Sequence, residues 1–195
     1  MQFFKHLTYI FSLIASLMIV AKGAYASNLH LILGADYVYS DIKYDTPSVR
    51  NRTAHTMPNE PATKFNNFSP VIGLSAYGIG LEAFILGSGS EEKNSLESKM
   101  RAYGIDFVGE ASLSDNFTFV ASLGIAQYKF ENKDKKEHRS YDDDSTGPRV
   151  GVGLQYYLTR NIAVRAMYHY TLLNSGKHGN YDAVSEFSGG LRFIF

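Results

Sequence analysis

The sequence predicts an all-β chain: an eight-stranded antiparallel transmembrane β-barrel with short turns at one end and long loops at the other. Three observations predict it. After an apolar N-terminal segment, no later stretch is long and apolar enough for a membrane helix. Instead, apolar residues recur at every second position in eight segments of about ten residues, the length a tilted strand needs to cross a bilayer. The connections between those segments alternate between tight and long.

The N-terminal segment reads as an export signal. Lys5 and His6 precede an apolar run from Leu7 to Val20, and the small-x-small pattern Ala24-Tyr25-Ala26 follows. Residues 1–26 are therefore expected to be a signal peptide read by the Sec pathway, with cleavage after Ala26 and residues 27–195 forming the barrel. Loss of Lys5 and Lys22 leaves 17 basic and 19 acidic residues. That balance gives no footing for a nucleic-acid interface. The chain has no Cys, which excludes a disulfide scaffold, a cysteine nucleophile and thiolate metal sites. Aromatics make up 14% of the residues and charged residues 19%. The mean hydropathy of −0.17 is too polar for a bundle of membrane helices.

The alternation can be followed element by element. Leu29–Asp41 has Leu29, Leu31, Leu33, Ala35, Tyr37 and Tyr39 on one face. Asn67–Tyr77 has Phe68, Pro70, Ile72, Leu74 and Ala76, and Ile79–Ser88 has Ile79, Leu81, Ala83 and Ile85. Met100–Leu113 carries Tyr103, Ile105, Phe107, Gly109, Ala111 and Leu113, and Phe117–Phe130 carries Phe117, Phe119, Ala121, Leu123 and Ile125. Pro148–Leu158 shows Val150, Val152, Leu154, Tyr156 and Leu158, while Ile162–Thr171 shows Ile162, Val164, Ala166, Tyr168 and Tyr170. The last segment, Ala183–Phe195, presents Phe187, Gly189, Leu191, Phe193 and Phe195.

Tight turns are expected at Tyr77-Gly78-Ile79-Gly80, Ser114-Asp115-Asn116 and Thr159-Arg160-Asn161. Between them lie long polar segments at Ile42–Asn66, Gly87–Lys99, Lys129–Gly147 and Leu172–Asp182. The first holds Pro47, Pro58 and Pro61, which disfavour regular structure. The third holds Lys133, Lys135, Lys136 and Arg139 ahead of Asp142, Asp143 and Asp144. These two blocks suit an ion-paired hairpin, or the binding of cations or lipopolysaccharide phosphates. The acidic triplet lacks the Gly and Glu spacing of an EF-hand loop.

The face opposite the apolar set carries charge of both signs: Asp36, Glu82, Asp106, Glu110 and Glu186, with Arg149, Arg165 and Arg192, and with His30 and His169. A dry soluble core does not bury so many charges, because each unpaired one costs several kcal/mol. If the apolar face meets lipid, these groups line the lumen and pair there. Eight strands leave an interior just wide enough for side chains, so the lumen is expected to be plugged by ion pairs. The three arginines are expected to pair with some of Glu82, Asp106, Glu110 and Glu186. The periodicity accounts for all the carboxylates together, which leaves no need for a glycosidase pair among them.

The chain runs Phe187-Ser188-Gly189-Gly190-Leu191-Arg192-Phe193-Ile194-Phe195 at its end. Phe187, Leu191, Phe193 and Phe195 alternate and resemble the signal that outer-membrane barrels present to the barrel-assembly machinery. Tyr156, Tyr168, Tyr170, Phe193 and Phe195 are placed to form interfacial aromatic girdles. The stretch from Arg149 to Tyr168, with its Leu158-Thr159-Arg160-Asn161 turn and inward Arg165, resembles the sixth and seventh strands of the OmpA-like, OmpX-type small eight-stranded barrels. The resemblance covers essentially all of residues 27–195, and no peptidoglycan-binding domain is expected after Phe195.

That resemblance implies a Gram-negative outer membrane as location and a monomer without cofactors. The implied partners are outer-membrane lipid, lipopolysaccharide and host surface or matrix molecules. Members of this size include adhesion and invasion proteins, opacity-type proteins and accessory colonisation factors. A surface role in adhesion, host interaction or colonisation is therefore expected. A narrow channel or carrier for small solutes, and a structural envelope protein, are the alternatives. No catalysis is expected. The one cluster that suits a deacylase, His169, Thr171 and Glu186, faces the lumen by parity, and Leu172 stands where the deacylase pattern has Asn.

Overall fold

The computed structural model describes residues 29–45, 61–93, 96–134, 139–173 and 180–195. The expected signal peptide and Pro47 and Pro58 lie outside them. The described residues form eight strands: β1 (Leu29–Asp45), β2 (Lys64–Ala76), β3 (Ile79–Lys93), β4 (Leu96–Ser112), β5 (Phe117–Asp134), β6 (Arg139–Thr159), β7 (Ile162–Leu172) and β8 (Asn180–Ile194). Each pairs antiparallel with the next, and β8 returns to β1, so the wall is a closed barrel. At the seam, Leu31 N donates to Phe195 O at 3.1 Å and Phe195 N donates to Leu31 O at 2.9 Å.

The register fixes the tilt. Directly paired residues lead from Leu29 through Ala76, Ile79, Gly109, Ala121, Val152, Tyr168 and Phe187 back to β1 at Tyr39. One circuit therefore climbs ten residues toward the loop end. With strands about 4.8 Å apart, that stagger tilts them about 40° from the axis. Alternation then sends one residue set out and the other in. The outer face is apolar from the turn end up to the row of Ile105, Ile125 and Pro148, as a lipid-facing wall, about 25 Å tall in such barrels, requires. Among the described residues no charge lies within that band.

Aromatic side chains border the band at both ends. At the turn end Phe117 packs on Tyr156 with ring centroids 4.9 Å apart, and Phe193 and Phe195 are exposed at the same end on another part of the wall. At the loop end Tyr39, Phe187 and Tyr168 form one paired row, with Tyr37 and Phe68 exposed next to it and Tyr103 exposed on the opposite side of the barrel. The expected girdle residues thus divide: Tyr156, Phe193 and Phe195 belong to one rim, Tyr168 and Tyr170 to the other. The tight turns fall where expected. Tyr77 and Gly78 both have positive φ, 55° and 78°, the left-handed pair that a two-residue hairpin needs.

The strands run farther at the loop end than the alternation predicts. Much of Gly87–Lys99 is the β3–β4 hairpin, and the described parts of Lys129–Gly147 belong to β5 and β6. Above the apolar band the outer face is charged, while the inner face mixes apolar residues with Ser98, Asn132, Asp134 and Asp143, so the apolar-out, polar-in alternation ends there. Within this hairpin Lys129 Nζ lies 3.8 Å from Asp144 Oδ1. The triplet Asp142–Asp144 is strand, which puts Asp143 inside and Asp142 and Asp144 outside. Alternation therefore keeps the three carboxylates from converging on one cation.

Candidate functional site

Two parts of the barrel carry chemistry: the lumen and the loop-end hairpins. The lumen is layered. At the turn end it opens as a polar bowl of about 740 Å³, lined by Ser75, Glu110, Ser112, Thr118, Tyr157 and Arg160 among others. His30, assigned by parity to the interior, is exposed at this mouth. The middle of the lumen, level with the apolar band, is ionic. The loop end is apolar, with Val38, Ile42, Phe65, Leu86, Leu96, Met100, Tyr128, Phe130, Tyr181 and Val184 in one buried cluster.

The ionic layer contains the eight charged residues singled out above. Arg192 Nη1 and Nη2 donate to Asp36 Oδ1 and Oδ2 at 2.6 and 2.8 Å, a two-pronged pair across the β1–β8 seam. Its guanidinium also lies 3.9 Å from Glu82. Arg165 donates from Nη1 to Glu82 at 2.7 Å, from Nη2 to Glu110 at 3.0 Å and from Nε to Gln155 at 2.7 Å. Arg149 donates to Asp106 and to Glu186, both at 2.8 Å. Its guanidinium also sits 4.1 Å from the centre of the Phe84 ring, an attractive cation–π arrangement. The remaining cavity in this layer is only about 30 Å³, so side chains fill the bore.

Glycines give these long side chains their room. Each lumenal arginine faces a glycine across a strand pair: Gly124 for Arg149, Gly190 for Arg165 and Gly34 for Arg192. Gly124 also faces Asp106, and Gly190 also faces Asp36. Arg149 and Asp106 thus meet over Gly124, from strands that do not touch each other. A Cβ on Gly124 would run into Asp106 Oδ1 and the backbone oxygen of Ile105. None of these glycines stands out in the sequence as a site residue. Their inward parity was the available signal.

The cluster weighed for deacylase chemistry is lumenal as parity required. His169 and Glu186 are direct cross-strand partners. Thr171 Oγ1 is within 3.2 Å of Tyr128 Oη, and His169 Nε2 is 3.8 Å from Asp106. Among the described residues no group of three or more His, Asp or Glu side chains is arranged to hold a metal ion. The residues offered as an assembly signal, Phe187, Leu191, Phe193 and Phe195, are all exposed on the lipid-facing wall of β8 and the residue after it.

The loop end carries the second candidate surface. On the outer face of β4, β5 and β6, paired rows succeed one another toward the loops. They run Ile105–Ile125–Pro148, Tyr103–Gln127–Thr146, Arg101–Lys129–Asp144, Lys99–Glu131–Asp142 and Glu97–Lys133–Ser140. Apolar wall gives way to charge within two rows.

Comparison with known proteins agrees with this geometry. The family model for the outer membrane protein beta-barrel domain matches residues 12–195. Among solved structures, the chain is similar to Neisserial surface protein A (NspA), at 14% identity and a TM-score of 0.61, covering 87% of this chain and 98% of that one. It is similar to Ail, the attachment invasion locus protein of Yersinia pestis, at 16% identity and a TM-score of 0.61, covering 86% and 99%. OprG of Pseudomonas aeruginosa is similar at 16% identity and a TM-score of 0.55, covering 88% and 98%. At these identities the likeness is one of fold. No curated protein sequence matches the chain.

Proposed function

The chain belongs to the outer membrane protein beta-barrel family, and from that premise we propose that it is a monomeric surface protein acting through its extracellular hairpins in adhesion, host interaction or colonisation. The family places it in a bacterial outer membrane, with the turn end periplasmic and the loop end outside. One observation carries the reading. Ion pairs fill the bore level with the membrane, while β3 to β6 continue past the apolar band as hairpins. A barrel blocked in this way offers partners its outer end rather than a path through it.

NspA is described as a surface protein and Ail as an attachment invasion locus protein. Ail has also been crystallised with the heparin analogue sucrose octasulfate. Sulfated polysaccharide is therefore the first class of host ligand to test here. Residues 1–26 serve in this reading as the Sec signal. Phe187, Leu191, Phe193 and Phe195 serve as the strand read by the barrel-assembly machinery. The lumenal charges serve stability, and no catalytic residue or cofactor is assigned.

The test shortens the β5–β6 hairpin. Glu131 to Asp142 is replaced by Asn-Gly, which closes a two-residue hairpin on the Phe130–Asp143 pair. Expected are a barrel that still migrates faster unboiled than boiled on a cold gel, and bacteria that no longer bind host cells or immobilised heparin. Unchanged binding by cells carrying the shortened hairpin removes β5–β6 from the proposal. Unchanged binding by a strain lacking the whole protein removes the adhesive role.

A further inference from the structure

We propose that Arg101 and Lys129, side by side on the outer face of β4 and β5, form a binding site for the phosphate of an outer-leaflet lipid. The inference rests on the outer-membrane placement and not on the adhesive role. Its first support is position. The row below holds Tyr103 and Gln127, whose side chains are hydrogen-bonded to each other, and the row below that is Ile105 and Ile125. Arg101 and Lys129 are thus the first charges above the apolar wall on these strands, the height at which lipid headgroups begin.

The second support is an electrostatic oddity. Arg101 and Lys129 are direct cross-strand partners, and like charges placed opposite each other destabilise a sheet pair. Their acidic contacts do not explain the arrangement. Arg101 Nη2 is 3.9 Å from Glu131, and Lys129 Nζ is 3.8 Å from Asp144. Both contacts are long and exposed, the kind that solvent and salt weaken most. An anion bridging the two cations removes the repulsion.

The third support is orientation. Paired rows climb toward the loop end as they pass from β4 to β6, so Arg101 lies nearest the membrane and Asp144 farthest from it. Glu131 belongs to the next row up, with Lys99 beside it. The face turned toward the lipid is therefore the basic one. An arginine fork with an adjacent ammonium suits a phosphate monoester at a membrane surface.

The experiment uses the refolded protein in detergent and native mass spectrometry. Diphosphoryl lipid A, phosphatidylcholine and inorganic phosphate are added in separate arms. The double variant Arg101→Gln, Lys129→Gln is compared with wild type. A second double variant, Lys64→Gln, Lys133→Gln, removes the same charge from elsewhere on the loop-end surface. Expected are lipid A adducts on wild type and on the second variant, reduced about tenfold or more in the first. Phosphatidylcholine adducts are expected to be equal in all three.

Adducts that survive in Arg101→Gln, Lys129→Gln overturn the site. An equal fall in both double variants also overturns it, by making the attraction one of total charge. Millimolar inorganic phosphate that displaces lipid A completely assigns the site to free phosphate and overturns the lipid. Migration on cold gels confirms that each variant is a folded barrel. Cell binding is measured separately, so failure here leaves the adhesive reading intact.

Discussion

Arg165 shows how much one buried side chain organises. Its three nitrogens satisfy Glu82, Glu110 and Gln155 at once. Arg165→Ala leaves the buried Glu82 and the half-buried Glu110 without their main donor. Removing one partner of such a pair is expected to cost about 3–5 kcal/mol. Urea unfolding in lipid vesicles, followed by gel migration, reads this as a lower midpoint, and an unchanged midpoint would show that the network does not hold the barrel. Gly124 makes a complementary case. Gly124→Ala places a methyl where Asp106 and the Ile105 carbonyl already stand. Overpacking of this kind is expected to cost about 1–3 kcal/mol. In the same assay Gly189→Ala is expected to be nearly neutral, because its added Cβ meets nothing within 4 Å.

At the scale of elements, the β5–β6 hairpin divides into two regimes. Below Ile125 and Pro148 its outer face meets lipid tails; above them it passes through the headgroup level into water. The interior changes in the opposite sense, from the Arg149 ion pairs to the stacked rings of Phe130 and Tyr181, whose centroids are 4.0 Å apart. Phe130→Ala is therefore expected to loosen the hairpin tip while the membrane portion stays closed. Amide hydrogen exchange should report faster exchange around Lys129–Asp134, with the amides of Phe119–Leu123 still protected. Uniform loss of protection along β5 would mean that the strand unfolds as one unit. The same division explains what the sequence revealed. Strands were legible where lipid outside and charge inside force alternation, as in Phe117–Ile125. They were illegible from Lys129 to Asp134, where Lys129, Glu131 and Lys133 face water while Asn132 and Asp134 face inward. Such a segment has the composition of a loop.

For the whole molecule, the bore is the decisive feature. With only about 30 Å³ left among the lumenal charges, planar bilayers containing the protein are expected to show no sustained conductance steps. Regular, long-lived openings would favour the channel reading instead. Asp134 and Asp143, turned inward by the loop-end extensions of β5 and β6, were hidden, but the inward parity of the charges level with the apolar band was legible, because parity is a property of the strand. Which of them meet was not: Arg149 reaches Asp106 across β5, and Arg165 reaches Glu82 across the interior, and both depend on a ten-residue stagger that no single strand encodes. The apolar cluster at the loop end was hidden for a related reason, since Phe65, Leu86, Tyr128 and Tyr181 come from separate strands. The seam has a consequence in time. Leu31, made early, can be bonded only by Phe195, made late. Every other strand finds its neighbour as soon as the next hairpin forms. The first edge must wait for the whole chain, and until then it needs protection from pairing with some other chain instead.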